Sequence, residues 1–577
     1  MKKPFWRRPS RLRTPARGRT KNRPGLNKLT TTLQERREPH RAIRPFKSLR
    51  ALRLCPSPSG RGAGVSEKPN PQQHRKGGLV SALGSIPLDP CDVRAARFEP
   101  DDHTDQQESQ LTGELHYKTI SELAPLIRDG KVSSVELTES QLDRIAQLDG
   151  HLKSYATIMA DSARAQARAA DAEIANGSYR GPLHGIAVAV KDLCVTKGVR
   201  TMGGSAVFVD NVPDYDATVV TRLNEAGAVM LGKLNLTEGA MGGYNPKLDI
   251  PENPWRDGHW AGQSSSGSGC ATAAGMAFGT LGSDTGGSIR YPAAACGTVG
   301  LKPTWGRVSR NGVMNLAESL DHVGPLTRSA ADAGIMLQAI AGLDLNDRTS
   351  LPQPVPDMTG TLEAGVQGLK IGYDERYASE DLEPEITNAI ADSVRVLEGL
   401  GAEIVAVRMP ARLREYLEAW PVICSSEATS AHADTFPSRA DEYGPWFREW
   451  LANGAAHTAT EYADANVLRA ACVGDLRRTM RGIDLLACPS THRTPYPITH
   501  EELYGHIPPS RNAWQSRFTA PMNYAGLPTI SLPCGLNSEN LPLSLQLVGH
   551  HLSEQLLVQA GHAFEGATDF HKLHPPV

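Results

Sequence analysis

The sequence lacks the motifs of metalloproteins, disulfide-stabilised domains and membrane-spanning proteins. Its nine cysteines are odd in number and contain no CxxC pair, which disfavours a zinc site or a disulfide scaffold and fits a reducing cytoplasm. Its histidines show no HExxH-like spacing, so we expect neither a metal nor another cofactor. No stretch approaches about 18 consecutive apolar residues, so we expect no membrane span.

The charges are separated along the chain, although the formal net charge of the 577 residues is only −2. Residues 1–80 contain 22 Lys and Arg against three acidic residues, which leaves 39 basic and 60 acidic residues in the remainder. We interpret residues 1–112, rich in Arg, Pro, Gly and Ser, as a disordered tail or the product of a mis-assigned start codon. The acidic body predicts no nucleic-acid or membrane partner.

Short apolar runs alternate with helical patterns in residues 113–577. Residues 185–190 form a continuous apolar run, which is typical of a strand buried on both faces. Residues 218–226 favour a helix, and residues 229–231 favour the next strand. This order predicts a single large α/β domain with a central mixed, mainly parallel sheet and helices on both faces.

The segment 262–290 joins two serine-containing loops and reads GQSSSGSGCATAAGMAFGTLGSDTGGSIR. Its residues 271–278 predict a buried helix whose N-terminus, with unpaired N–H groups, faces the first loop. Gly286 and Gly287 allow successive backbone N–H groups to point the same way and bind an oxyanion. Ser288, directly after them, would be an exposed nucleophile that needs a base.

Standard catalytic and nucleotide-binding motifs are absent from this segment. Gly267 is followed by Ser268 rather than by the lysine of a P-loop, and neither GxSxG nor Ser-x-x-Lys is formed. No Ser-His-Asp motif is evident, so Lys191 becomes the candidate base, provided that burial keeps it neutral. A structural interpretation stays open, in which Lys191 snorkels or pairs with Asp192.

Several segments, in order, strongly resemble the amidase signature enzymes. They are AVAVKD around Lys191, GQSSSGSG around Ser264, GSDTGGSIRYPAA around Ser288, and the later GLKPTWGRVSRNGVM, ESLDHVGPLTRSAADA and FTAPMNYAGLPTISLPCG. The resemblance extends from about residue 115 to the C-terminal region. It implies an amidase domain over residues 113–577, with a signature core at about 180–335 and a variable, substrate-covering region at about 345–515.

The resemblance implies a Ser–cis-Ser–Lys triad. Ser288 would be the acyl nucleophile, and Lys191 would be the base. Ser264, which follows a cis peptide bond in the family, would relay protons between them. The family usually reads GGSSGGS where this chain reads GQSSSGSG. Substrate specificity is therefore not carried over from the resemblance.

The resemblance also implies the groups around the triad. The oxyanion hole would consist of four backbone N–H groups, those of Thr285, Gly286, Gly287 and Ser288. Met241 matches a substrate-channel position of some relatives, although a methionine there suits core packing equally well. We expect Asp284 and Arg290 to form a structural ion pair that braces the loop.

The implied activity is hydrolysis of a small-molecule carboxamide to a carboxylate plus ammonia or an amine, without a cofactor. A carbamate or ester hydrolase shares the same acyl chemistry. A second interpretation is a glutaminase component of a tRNA-dependent amidotransferase. The altered serine loop weakens the resemblance of this chain to that component. A non-catalytic scaffold is a third, and a homodimer is a compatible assembly.

Overall fold

The structure, a computed structural model, describes residues 115–508 and 513–577, so the interpretation of residues 1–112 as a tail lies outside the described residues. Within the described residues, eleven strands form one sheet. The strands are β1 (Tyr155–Ile158), β2 (Ala187–Lys191), β3 (Val229–Leu234), β4 (Gly279–Asp284), β5 (Val299–Lys302), β6 (His322–Thr327), β7 (Lys370–Tyr373), β8 (Glu403–Ala406), β9 (Leu485–Pro489), β10 (Thr529–Leu536) and β11 (Pro542–Gly549).

The α-helices pack around this sheet and against one another. They are α1 (Ile120–Arg128), α2 (Ser134–Leu152), α3 (Ala160–Ala175), α4 (Thr218–Glu225), α5 (Ser266–Ala273), α6 (Arg290–Cys296), α7 (Ala330–Ile340), α8 (Pro384–Gly399), α9 (Leu413–Leu417), α10 (Ala419–Ala431), α11 (Pro445–Ala456), α12 (Ala459–Thr479), α13 (His500–Tyr504), α14 (Ala520–Ala525) and α15 (Glu554–Thr568). None of the helices in the described residues has the length and apolar composition needed to cross a bilayer.

The α/β class and the mixed sheet are confirmed, with strand order β1-β3-β2-β4-β6-β5-β10-β11-β9-β7-β8. Parallel pairs occur in two groups, β3–β2–β4 and β9–β7–β8. The other neighbours are antiparallel, so the expected predominance of parallel pairs needs correction. One cause is the short connection between β10 and β11, because a short loop can join only antiparallel neighbours.

The strands β3, β2 and β4 run side by side in the same direction, so their carboxyl ends meet at one edge of the sheet. Every residue of these three strands is buried, as the apolar run of β2 predicted for a strand covered on both faces. Lys191 ends β2 and Asp284 ends β4, and loops leave all three strands at this edge. Ligand sites in α/β sheets form at such edges.

The helix predicted over residues 271–278 is displaced towards the N-terminus. The observed helix α5 begins at Ser266, inside the serine run, and all eight of its residues are buried. It ends before Gly275, whose backbone is left-handed at φ +71°, and the chain then enters β4. The predicted relation to the serine loop holds, because the N-terminus of α5 directly follows Ser264 and Ser265.

Asp192 does not pair with Lys191, which corrects the structural interpretation of that lysine. Its carboxylate lies 3.1 Å from Nζ of Lys233 on the neighbouring strand β3, and both side chains are buried. It also accepts a hydrogen bond from the backbone N–H of Met202 at 2.9 Å. Strand β2 ends at Lys191 and Asp192 begins the turn that follows, so the two side chains have different neighbours.

Replacing Asp192 by Asn should destabilise the fold, because it leaves the ammonium of Lys233 buried without a carboxylate. We expect Asp192→Asn to lower the free energy of unfolding by about 3–5 kcal/mol, measured by urea denaturation. The exposed Asp214 provides a control, Asp214→Asn, which should unfold like the wild type. Equal midpoints for the two variants would contradict the requirement of the buried Lys233 ammonium for the Asp192 carboxylate.

Candidate active site

Three serine hydroxyls surround the amine of Lys191, which is completely buried. The Nζ atom lies 2.7 Å from Oγ of Ser264 and 2.9 Å from Oγ of both Ser265 and Ser283. Burial lowers the pKa of Lys191 to about 7, because the ammonium loses its hydration; nearby acidic groups offset this only in part. A lysine that is partly neutral at pH 7 can take a proton from a hydroxyl.

The orientation of the hydroxyl protons distinguishes two of these serines. Ser265 donates to the backbone carbonyl of Ser288 at 2.5 Å and lies 3.2 Å from that of Ser283. Since its single hydroxyl proton is used there, Ser265 accepts from Lys191. The Ser264 hydroxyl has Lys191 as its hydrogen-bond partner among the described residues. Of these two serines, Ser264 is therefore the one whose proton is available for transfer.

The position of Ser264 is set by its backbone. The Gln263–Ser264 peptide bond is cis, which is the geometry that the resemblance implies at this serine. The Ser264 carbonyl accepts a hydrogen bond from the N–H of Thr237 at 3.2 Å, in the loop after β3. Helix α5 starts two residues later, so strand β3 and helix α5 together hold the serine loop against Lys191.

The loop that carries Ser288 is braced by a buried ion pair. Arg290 binds the Asp284 carboxylate with two nitrogens, at 2.8 and 3.0 Å. Burial alone would raise the pKa of Asp284, but the Arg290 guanidinium outweighs it and holds the pKa far below its usual range. The same carboxylate accepts the N–H groups of Gly287 at 2.9 Å and Ile289 at 3.1 Å. The ion pair thus fixes the backbone on both sides of Ser288.

Residues near the C-terminus complete this brace, and sequence reasoning missed them. Arg290 donates to Oδ1 of Asn523 at 2.6 Å and to Oε1 of Gln546 at 3.1 Å. Asn523 also donates to the Asp284 carboxylate at 2.9 Å. Asn523 lies within the resembling segment 518–535, but no spacing in the sequence relates it to Arg290. Ser265 and Ser283 were also missed, although both lie within the segment 262–290.

The four backbone N–H groups expected in the oxyanion hole are not equivalent. That of Gly287 donates to Asp284, whereas Thr285, Gly286 and Ser288 line a cavity. Side chains are excluded at both glycines: a Cβ at Gly286 would lie 2.6 Å from the Trp420 ring, and Gly287 has φ +137°. The double glycine therefore brings the backbone itself to the cavity wall.

The cavity has a volume of about 360 Å³ and opens beside Ser288. Met241, expected in a substrate channel, lines it. So do aromatic side chains, several from the predicted variable region: Trp260, Tyr291, Trp420, Trp446, Trp450 and Tyr496. Not all of the predicted substrate-covering region lies at the cavity, since residues 404–406 belong to the edge strand β8. The described residues contain no group of three or more His, Cys, Asp or Glu suited to a metal ion.

Comparison with known proteins decides the family. The family model named Amidase matches residues 136–558. The chain belongs to the amidase family. Its membership places its activity among hydrolases of amide carbon–nitrogen bonds, and the predicted resemblance is confirmed.

Relatives of this amidase match it over nearly their whole length. A Mycobacterium tuberculosis (strain ATCC 25618 / H37Rv) protein that carries the name amidase AmiD is 46% identical over 458 residues, covering 79% of this chain and 96% of the relative. A glutamyl-tRNA(Gln) amidotransferase subunit of Moorella thermoacetica is 41% identical, covering 80% and 99%. The structure of native peptide amidase from Stenotrophomonas maltophilia is 30% identical, covers 80% and 98%, and superposes with a TM-score of 0.70.

Removing the Ser265 hydroxyl should impair this site more than the fold. We expect Ser265→Ala to lower kcat by about 10- to 100-fold, because Lys191 loses an acceptor and the Ser288 carbonyl loses its donor. Ser268→Ala is a matched control, since Ser268 is equally buried and donates to the Leu281 carbonyl at 3.0 Å without contacting Lys191. Equal turnover by the two variants, assayed on an amide that the wild type hydrolyses, would contradict this role of Ser265.

Proposed function

We propose that this amidase hydrolyses a carboxamide to a carboxylate and ammonia or an amine through an acyl-enzyme on Ser288. The observation that carries the proposal is the contact between the buried amine of Lys191 and Oγ of Ser264 at 2.7 Å, next to a cavity lined by Ser288. The amine supplies the base, and the cavity admits the amide.

In the acylation step, Lys191 takes the Ser264 proton while Ser264 takes the proton of Ser288. The Ser288 oxygen then forms a bond to the amide carbon, and the carbonyl oxygen becomes an oxyanion. The N–H groups of Thr285, Gly286 and Ser288 stabilise it, and each such donor typically contributes about 3 kcal/mol. The proton returns from Lys191 through Ser264 to the departing nitrogen, and the carbon–nitrogen bond breaks.

In the deacylation step, water replaces the departed amine in the cavity. Lys191, acting through Ser264, removes a proton from this water as its oxygen attacks the ester carbon. The bond to Ser288 breaks, the proton passes to the Ser288 oxygen, and the carboxylic acid leaves and loses its remaining proton to the solvent. The same groups serve both steps because the amine of Lys191 is neutral again after acylation.

A second candidate is a glutaminase component that supplies ammonia within an amidotransferase. The 41% identity to the amidotransferase subunit of Moorella thermoacetica, over 99% of its length, supports it. The loop GQSSSGSG, which departs from the usual GGSSGGS, weakens it. Size-exclusion chromatography in an extract of the host separates the candidates: a stable complex with another chain and hydrolysis of glutamine favour the amidotransferase, and migration alone favours the independent amidase.

The nucleophile is tested by removing one oxygen atom. We expect Ser288→Ala to reduce turnover by about 10⁴-fold or more, because no other hydroxyl of the triad faces the cavity. A panel of aliphatic, aryl and peptide amides, with matched esters and carbamates, gives the substrate class. Turnover by Ser288→Ala within a few-fold of the wild type would overturn the acyl-enzyme.

The dependence of kcat/KM on pH tests whether Lys191 is the base. Only neutral Lys191 accepts a proton, so kcat/KM should fall about tenfold per pH unit below a pKa of about 7 and level off above it. Lys191→Ala should remove nearly all activity at neutral pH. Burial also raises the pKa of Glu238 to about 7, so Glu238→Gln is the necessary control. If kcat/KM of Glu238→Gln still falls below about pH 7, the fall is due to Lys191. If the fall disappears in this variant, it is due to Glu238.

A further inference from the structure

A polar edge interrupts the aromatic wall of the cavity at the carboxyl end of strand β9. Thr491, His492 and Arg493 follow this strand, and all three line the same cavity as Ser288. The mechanism above uses none of them. Their side chains therefore face the space that the part of the substrate beyond the reacting amide would occupy.

His492 has an unused hydrogen-bonding capacity. Both of its ring nitrogens are shielded from solvent, and neither has a hydrogen-bond partner. Burial, reinforced by the positive charges of Arg493 and Arg517, lowers the pKa of His492 to about 4, so the ring is neutral at pH 7. A neutral imidazole offers one N–H donor and one acceptor, and buried polar atoms without partners are rare.

Arg493 is a cation without a carboxylate partner among the described residues. Its guanidinium carbon lies over the ring of Tyr496, 3.2 Å from the centroid. Its Nε atom is buried without a partner. Glu502 also lines the cavity, and its Oε2 accepts the N–H and hydroxyl of Thr499 at 2.9 and 3.0 Å, which ties this carboxylate to the N-terminus of α13.

A second arginine, Arg517, lies close enough to His492 to act on its ring electrostatically. Arg517 is 1% exposed, and its guanidinium donates to the backbone carbonyls of Trp514 at 3.1 Å and Glu380 at 2.7 Å. Carbonyl oxygens satisfy the donors but do not neutralise the charge. Asp381 and Glu380 oppose that charge from nearby, so Arg493 is the cation that favours an anion at this edge of the cavity.

We propose that His492 and Arg493 form a carboxylate-binding subsite, so that the preferred substrates are amides that carry a carboxylate on the part remote from the reacting carbonyl. This inference rests on the proposed amide hydrolysis and specifies its substrate class. The planar guanidinium matches two carboxylate oxygens, and the N–H of His492 supplies one further donor. The tryptophans of the wall contact the apolar body between the two ends of the substrate.

The test compares pairs of amides of equal length. One member of each pair ends in a carboxylate and the other in a methyl group, and the series includes alkyl chains of increasing length and a phenylacetamide with a para substituent. For the best-fitting length, wild-type kcat/KM should be about 10- to 100-fold higher for the carboxylate, since hydrogen bonds to charged groups are among the strongest. Arg493→Gln should reduce this ratio to near unity, and Arg493→Lys should retain part of it.

Arg481→Gln is the matched control. Arg481 is an exposed arginine at the opposite end of β9, and its variant should keep the wild-type ratio. Calorimetric titration of Ser288→Ala with the same pairs measures binding without turnover, and the carboxylate member should bind about tenfold or more tightly. The wild-type ratio and this titration remain informative if Arg493→Gln does not fold.

The outcomes separate the two proposals. Hydrolysis of both members of every pair at equal kcat/KM overturns the subsite and leaves the amidase mechanism intact. Tighter binding of the carboxylate by Ser288→Ala, with no hydrolysis of any amide by the wild type, supports the subsite and overturns the proposed function. A ratio that Arg493→Gln leaves unchanged assigns the preference to other residues and also overturns the subsite.

Discussion

The burial of the Lys191 amine among hydroxyl groups is the constraint on which the rest of the site depends. A carboxylate beside it would keep the lysine protonated, but its neighbours are Ser264, Ser265 and Ser283. Hydroxyls can donate to an amine or accept from an ammonium, so they accommodate both protonation states. The nearest acid in sequence, Asp192, pairs instead with Lys233. Lys191 can therefore change its charge during a reaction.

The second requirement is that the loop carrying Ser264 and the loop carrying Ser288 keep a fixed position relative to each other. Asp284 and Arg290 do this on one side, because their buried ion pair holds the N–H groups that flank Ser288. Ser265 does it on the other side through its bond to the Ser288 carbonyl. A buried ion pair contributes little net stability, so its value here is the fixed geometry of the loop. Asn523 on helix α14 and Gln546 on strand β11 connect this ion pair to the C-terminal part of the fold.

Sequence reasoning predicted the features that neighbouring residues in the chain determine. It missed those that depend on contacts between segments far apart in the sequence. The apolar run of β2 predicted a buried strand, and the lysine at its end became the candidate base because no Ser-His-Asp motif is evident and because its segment resembles the amidase signature. The helix after the serine loop was displaced, since Gly275 ends it earlier than its apolar residues suggested. The partners of Arg290 and the role of Asp192 depend on contacts between distant segments. His492 and Arg493 follow no motif, and only the cavity relates them to Ser288.

The central claim is that Lys191, through Ser264, makes Ser288 nucleophilic, and covalent labelling tests it most directly. A fluorophosphonate forms a phosphorus–oxygen bond with an activated serine as fluoride leaves, and peptide mapping by mass spectrometry locates the adduct. The account predicts one adduct, on Ser288, whose rate of formation rises with pH through about 7 and is lost in Lys191→Ala. An adduct on Ser264, or labelling of Ser288 at an unchanged rate in Lys191→Ala, would contradict it.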